Sequence, residues 1–346
     1  MFYDTIIIGA GQAGLSIGYY LRKNHNKFII LDKGSHIGES WKERYDSLVL
    51  FTPRMYCSLP GMDMNGEIHG FPNKGEIAAY LNNYVNNYEL PIKLNMEVIH
   101  VIKQNGLFLV KTLQEEFITR NLVIATGPFQ SPHIPSMAKN LSTNVLQLHS
   151  SEYKNPHQLT NGNALVVGAG NSGAQIAVEL SKEREVYLAH SSKLVYLPLI
   201  FRNRSIFWWF DKLGVLRVSN TSFLGKFIQR KGDPIFGFEL KEAIQTSKII
   251  AKPKVISANQ DNIKFEDSST LAVNNIIWAT GFRISLPWLQ FDDLFDKEGK
   301  VIQERGVTNV KGLYFIGLPW QFRRGSALLQ GVGYDAEYIF EHIKNR

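Results

Sequence analysis

The stretch Ala164–Ser181, ALVVGAGNSGAQIAVELS, reads as an apolar strand, a glycine turn and the start of a helix, and Thr5–Arg22, TIIIGAGQAGLSIGYYLR, repeats that design. The glycines are Gly9, Gly11 and Gly14 in the first copy and Gly168, Gly170 and Gly173 in the second. The first set follows Thr5 and three isoleucines, the second follows four apolar residues, and each opens a helical pattern, the context that a dinucleotide-binding turn requires. The first glycine allows the tight turn and the second admits a pyrophosphate. The third lets helix and strand close up, and the helix N-terminus faces the anion.

Each half also ends in Ala-Thr-Gly. The first holds Ala125 and Gly127 in LVIATGPF, and the second holds Ala279, Thr280 and Gly281 in IIWATGF. The separation from first glycine to final glycine is 118 residues in one half and 113 in the other. A pair of features repeated at similar distance predicts two related nucleotide units, an α/β fold with two Rossmann-like, three-layer domains. Alternating segments lie between them, with Asn105-Gly106 as a hairpin turn in the first half and Lys252–Asn274 as a further antiparallel piece in the second. A helical stretch over Ala336–Lys344 closes the chain.

Which nucleotide each turn holds follows from what stands eighteen residues after its third glycine. Asp32 ends the strand FIILD, where a carboxylate accepts ribose hydroxyls and repels a 2′-phosphate. The equivalent position is Ser191, with Ser192 and Lys193 next to it and no acid. The first site suits FAD or NAD. The second admits NADPH, with NADH also accepted, because no arginine clamps the 2′-phosphate.

The totals bound the rest. The chain has 346 residues, 44% of them hydrophobic and 20% charged, as in an ordinary globular protein. One cysteine, Cys57, excludes an internal disulfide, a Cys-x-x-Cys redox pair and a cysteine-based zinc site, and no other metal-ligand cluster stands out. There is no leader-like segment and no long apolar run, so a cytoplasmic location is expected. Net charge is +7. Leu197–Lys254 alone has eleven Lys or Arg against four Asp or Glu, an excess of seven. A solvated basic face, attraction of anionic cofactors and a peripheral membrane or transporter contact through 201–231 stay open, as does a homodimer. Aromatic residues among basic ones also suit single-stranded nucleic acid, but no nucleic-acid fold accompanies them and no nucleic-acid partner is expected.

The segment Gly34–Met62, GSHIGESWKERYDSLVLFTPRMYCSLPGM, resembles the flavin-containing monooxygenase family, in which a Gly-Gly-x-Trp segment and a following Arg-Tyr-Asp-Ser-Leu pass beside the FAD. Gly38, Ser40, Trp41, Arg44, Tyr45 and Leu48 match, and Glu39 stands where a second glycine is usual. The resemblance runs nearly the full length and is nearest to small bacterial members and the plant auxin-forming monooxygenases. In the family's linker fingerprint, Phe-x-Gly-x-x-x-His-x-x-x-(Tyr or Trp), Thr143 and Val145 replace the Phe and Gly while His149 and Tyr153 remain.

The resemblance implies an enzyme in which NAD(P)H reduces FAD, O2 adds to give a flavin hydroperoxide, and a small soft nucleophile, a thioether or amine, takes one oxygen. It implies Trp41, Phe51, Thr52 and Gln330 along the flavin and His149 and Tyr153 at the linker, with Phe51, Thr52, His149 and Tyr153 as the catalytic set. Gln12, Lys33, Val98, Asn171, Ser172 and Gly317 join the cofactor contacts. It also implies an FAD unit of residues 1–155 and 283–346 interrupted by a nicotinamide unit of 156–282. Two alternatives share the cradles: a flavoprotein reductase serving a non-thiol acceptor, and a nucleotide-binding accessory of a cation transporter.

Overall fold

The computed structural model describes residues 1–291 and 293–346. β1 (Phe2–Ile8) runs into the first glycine turn and α1 (Gln12–Lys23), and the chain returns in β2 (Phe28–Leu31). α2 (Lys74–Tyr88) follows, closed at its start by a reciprocal cap. Asn73 Oδ1 accepts from the Glu76 N–H at 3.0 Å, and Glu76 Oε2 accepts from the Asn73 N–H at 2.9 Å. Next come β3 (Ile92–Lys93), β4 (Val98–Gln104), β5 (Leu107–Thr112) and β6 (Glu116–Ile124). β4 and β5 form the hairpin expected at Asn105-Gly106, whose φ angles are +52° and +78°.

β6 shows how sequence pattern places the layers. Over Glu116–Arg120 exposed and buried residues alternate, because that half pairs only with neighbours covered on one face. Over Asn121–Ile124 every residue is buried, Val123 against the helices of one face and Leu122 and Ile124 against the β4–β5 hairpin and Leu286, Leu289 and Leu294 on the other.

The second unit begins earlier than expected. β7 (Leu146–His149) pairs in parallel with β14 (Asn275–Trp278), so residues 146–155, expected in the first unit, run with the second sheet. The signal was hidden because LQLH is short and lies at the sheet edge. β8 (Ala164–Val167), the second glycine turn, α3 (Asn171–Leu180), β9 (Val186–Ala189) and β10 (Ile249–Lys252) complete a parallel sheet in the order β10–β9–β8–β14–β7. An insert between β9 and β10 carries α4 (Ile206–Lys212), α5 (Phe223–Lys231) and α6 (Glu239–Gln245). β11 (Val255–Asn259), β12 (Asn262–Phe265) and β13 (Thr270–Ala272) are the expected antiparallel piece.

The chain then crosses back. Phe282-Arg283 pairs with Ser131-Pro132 at the crossing. β15 (Gln303–Glu304), β16 (Val307–Thr308) and β17 (Leu313–Phe315) rejoin the first sheet, whose parallel core runs β17–β6–β1–β2–β3. α7 (Leu329–Lys344) closes the chain and starts seven residues before the expected Ala336. Gly331 and Gly333 masked its first turns in the sequence. A Cβ at Gly331 would lie 2.5 Å from the Gly325 carbonyl oxygen, so this helix start needs the glycine.

Candidate functional site

The two glycine turns are built alike, contact by contact. Gly9 and Gly168 have φ of +110° and +108°, which side chains avoid, and a Cβ would lie 2.5 Å from the Ala125 oxygen or 2.3 Å from the Ala279 oxygen. At Gly14 and Gly173 a Cβ would approach the Gly9 oxygen at 1.9 Å and the Gly168 oxygen at 2.0 Å, so helix and turn touch backbone to backbone. Ala125 N–H bonds Ile8 and Ala279 N–H bonds Val167, both at 2.8 Å, fixing each Ala-Thr-Gly beside its turn.

Gly11 and Gly170 behave differently. A Cβ on either meets no protein atom within 4 Å, and the same holds at Gly127 and Gly281. No side chain caps α1 or α3, and neither helix has an acid in its first turn. Each cradle therefore combines open space with unpartnered N–H groups and the positive end of a helix, which fits a pyrophosphate.

Around the first cradle, Asp32 Oδ2 accepts the Ala10 N–H at 2.5 Å and Oδ1 accepts the Gly34 N–H at 2.7 Å. Both oxygens keep a further lone pair for a ribose hydroxyl. Glu39, the departure from glycine, takes the Ser35 N–H on Oε2 at 2.6 Å, so the acid ties down the loop after Asp32. Lys33 and Ser40 are exposed at this edge, while Trp41 packs against the first unit's core. Val98 buries its side chain in that unit's second apolar cluster, two residues beyond Met96, whose N–H bonds the Asp32 carbonyl. Gln12 Nε2 donates to the Ala327 oxygen at 3.2 Å, and a Cβ on Gly317 would come within 2.9 Å of the Ala13 methyl. These contacts bring the start of α7 to the first cradle. There Gln330 Oε1 is buried without a partner, an acceptor that a bound flavin's N–H would satisfy.

Around the second cradle, Ser191, Ser192 and Lys193 are exposed just past β9, and Lys193 has no ion-pair partner among the described residues. Thr280 Oγ1 donates to the His133 oxygen. Asn171 departs from its expected cofactor role. Its Oδ1 accepts from Phe236 N–H and its Nδ2 donates to the Pro234 oxygen, both at 3.0 Å, so the side chain pins the insert, and only the helix-start backbone around Ser172 is left for a ligand.

The expected catalytic set divides in two. Thr52 is buried and Phe51 stacks on Phe236 at 4.6 Å and on Phe207 at 6.0 Å, joining the loop after the Arg-Tyr-Asp-Ser-Leu segment to the insert. His149 and Tyr153 are each 0% exposed. His149 Nε2 meets the Gly281 oxygen at 3.0 Å and Nδ1 meets Ser151 Oγ at 2.8 Å, while Tyr153 Oη donates to Glu179 at 2.7 Å. No ring nitrogen or hydroxyl is left for a substrate. These two are positioning residues, because the linker folds into the edge of the second sheet. Burial lowers the His149 pKa, with the Arg44 cation adding to it.

Two residues with larger parts at the junction went unassigned. Tyr45, 1% exposed, donates to Gln175 Oε1 of α3 at 2.7 Å, and Gln175 Nε2 returns a bond to the Val49 oxygen at 3.1 Å. Burial pushes the Tyr45 pKa up to about 12. Phe129 and Phe282, one following each Ala-Thr-Gly, meet edge to face at 5.1 Å, and the Arg44 guanidinium lies against both rings, 5.1 and 5.6 Å from their centroids. Leu48, expected on the flavin side, joins the second unit's apolar cluster with Ala169 and Ala279. The Arg-Tyr-Asp-Ser-Leu motif was visible; that it crosses to the second unit was not.

The model of the family described as pyridine nucleotide-disulphide oxidoreductase matches residues 6–195. The chain belongs to that family. The uncharacterised oxidoreductase CzcO of Bacillus subtilis is 66% identical over 341 residues, 99% of both chains. The probable indole-3-pyruvate monooxygenase YUCCA8 of Arabidopsis thaliana is 27% identical over 98% of this chain and 88% of its own. The flavin-containing monooxygenase from Stenotrophomonas maltophilia superposes with a TM-score of 0.83 at 25% identity, covering 99% of this chain and 98% of that one. Within this oxidoreductase family the chain is an enzyme of the flavin-monooxygenase type. The disulphide chemistry in the family's description has no counterpart here. Cys57 is the chain's one cysteine, it is 0% exposed, and burial pushes its pKa up to about 12.

Proposed function

We propose that this oxidoreductase binds FAD in the first cradle and NADPH in the second, and inserts one atom of O2 into a small soft nucleophile, a thioether or an amine. The observation that carries the reading is the pair of matched cradles, both open at the second glycine, with an acid at Asp32 in one and an exposed Ser191-Ser192-Lys193 in the other. Bound FAD would supply the redox chemistry, relaying two electrons from NADPH to O2 so that one oxygen atom goes to the substrate and the other, with two protons, to water.

The chain's own residues bind, orient and exclude water. The turns at Gly11 and Gly170 each hold a pyrophosphate on a helix N-terminus. Asp32 accepts ribose hydroxyls and disfavours a 2′-phosphate. Ser191, Ser192 and Lys193 receive the other dinucleotide's ribose end, giving NADPH a modest lead over NADH. Trp41, Thr52 and Gln330 line the flavin, and the Phe51–Phe236–Phe207 stack closes the substrate side against water. The Tyr45–Gln175 bond and the Arg44 guanidinium packed on the Phe129–Phe282 pair hold the nicotinamide unit in register with the first unit. Heteroatom oxygenation asks for no protein acid or base, in keeping with the buried, fully bonded His149 and Tyr153.

The test is stoichiometry. The yellow holoenzyme is given NADPH, labelled O2 and a panel of small thioethers and amines. One NADPH and one O2 consumed per labelled sulfoxide or N-oxide supports the reading. NADPH oxidation yielding hydrogen peroxide, with no labelled product, and fast turnover of a quinone or ferric acceptor would replace it with the reductase.

A further inference from the structure

The insert that covers Phe51 also carries a face that neither cradle uses. On α5 every residue but Gly225 and Ile228 is exposed. At roughly 100° per residue, Phe223, Phe227 and Leu224 fall on one arc, and they are 90%, 49% and 47% exposed. Gly225 lies well away from that arc. It is buried against the turn that leads into the helix: a Cβ there would meet the Ser219 oxygen at 1.9 Å, and the Ser222 side chain caps its N–H at 3.0 Å, while Ile228 is the other residue of α5 that is not exposed. The apolar arc is thus held pointing away from the body of the molecule. Leu213, which ends the preceding helix, is 73% exposed.

Charge says what covers this arc. Residues 201–231 contain seven Lys or Arg and one acid. That acid, Asp211, is already engaged by Arg217 at 3.3 Å and the Tyr56 hydroxyl at 3.3 Å. On α5 itself Lys226 and Arg230 run along one flank of the arc, and Lys231 Nζ lies 4.8 Å from the Phe227 ring centroid. A symmetric dimer through this face would set one cationic surface against its copy. An anionic bilayer complements both features at once, apolar residues entering the acyl boundary and cations meeting lipid phosphates. Among the described residues no helix is long and apolar enough to cross a membrane, so the contact is peripheral.

We propose that residues 201–231 form a membrane-docking face, with α5 lying in the plane of an anionic lipid surface on Phe223, Leu224 and Phe227 and with Lys226, Arg230 and Lys231 on the headgroups. The insert is a firm platform for it. Asn220 N–H bonds the Phe322 oxygen at 2.7 Å, and Arg324 Nε reaches Asp233 at 2.8 Å, both ties to the first unit.

The experiment is flotation of the holoenzyme with phosphatidylcholine vesicles, with and without phosphatidylglycerol. Two variants accompany it, Phe223→Ser/Phe227→Ser and Lys226→Gln/Arg230→Gln/Lys231→Gln. The face is solvent-exposed, so both variants are expected to keep their flavin and their vesicle-free NADPH oxidation, which controls for folding. Expected are flotation only on vesicles with phosphatidylglycerol, release by added salt, and at least a roughly tenfold lower partition for each variant. Failure to float on the anionic vesicles, or flotation unchanged in both variants, overturns the proposal. So does a dimer in solution that the phenylalanine variant converts to monomer without any lipid binding.

Discussion

Two of the three glycines of the second turn, Gly170 and Gly173, have separable jobs, and substituting them one at a time tests the cradle. In Gly170→Ala the new methyl meets no protein atom within 4 Å, and the backbone there, φ −70° and ψ 177°, suits alanine. The fold should lose no more than about 1 kcal/mol. The methyl does stand where a pyrophosphate must approach the N-terminus of α3. One lost charged hydrogen bond is worth about 1.5–3 kcal/mol, roughly a ten- to hundredfold rise in Kd for NADP(H). Gly173→Ala instead drives a Cβ to 2.0 Å from the Gly168 carbonyl oxygen, backbone against backbone. That overpacking costs about 1–3 kcal/mol or more, a Tm lower by roughly 1–4 °C for a chain of this size. The assays are FAD content by absorbance, Kd for NADP+ by calorimetry, KM for NADPH, and Tm. Gly170→Ala should keep its flavin and its Tm while binding NADP+ poorly. If it binds NADP+ normally, or loses FAD instead, the assignment of this turn to the nicotinamide is wrong.

Asp32→Ala should purify largely without flavin, at least about tenfold lower in flavin absorbance per protein, through loss of a charged ribose contact; a normally yellow protein would remove Asp32 from the FAD site. Ser191→Arg should raise the NADPH-to-NADH ratio of kcat/KM about tenfold or more by adding a phosphate fork at the exposed end of β9, and an unchanged ratio places the 2′-phosphate elsewhere. Tyr153→Phe removes only the bond to Glu179, so stability should drop by about 1 kcal/mol with kcat untouched; a large fall in kcat at normal Tm would return Tyr153 to the chemistry. His149 has its pKa below the usual 6.5 in the fold, so below that pH the unfolded chain binds more protons. Its contribution is full above 6.5 and is lost as pH falls toward the folded pKa, so Tm should decline from pH 7 to 5.5 more steeply in the parent than in His149→Gln. Parallel declines would refute this.

The cradles were legible because their physics is local. A glycine at φ near +110°, a strand of four buried residues and a helix start are encoded within about fifteen residues, and Asp32 and Ser191 follow at fixed spacing. The same holds for the Asn105-Gly106 hairpin. What stayed hidden depends on partners distant in the chain. Leu146–His149 is a strand of the second sheet only because β14, more than a hundred residues later, lies beside it. The Asn171 side chain is engaged by the insert, Tyr45 reaches Gln175 across 130 residues, and His149 Nε2 meets the oxygen of Gly281, 132 residues later. The early start of α7 was missed for an opposite reason: glycine, poor in a helix by propensity, is required there by the closeness of the Gly325 backbone.

If both turns share one backbone design, their ligands must be told apart by what surrounds them, and three differences do this. Asp32 is held by two N–H groups at the end of β2, so its charge is fixed where a 2′-phosphate would have to sit, whereas Ser191 to Lys193 are exposed and uncommitted. The first cradle receives a second helix N-terminus, that of α7, with Gln330 offering a buried, unpartnered acceptor, which suits a ligand that stays. The second is faced instead by the insert, pinned through Asn171 and stacked on Phe51, and by the Ser191 edge open to solvent. The proposed placing of a resident flavin in the first cradle and an exchanging nicotinamide in the second needs that asymmetry. Among the described residues the two units share no sheet; side-chain bonds such as Tyr45–Gln175, Asn155–Asp46 and Arg324–Asp233, with the short ribbon at Ser131–Pro132, join them.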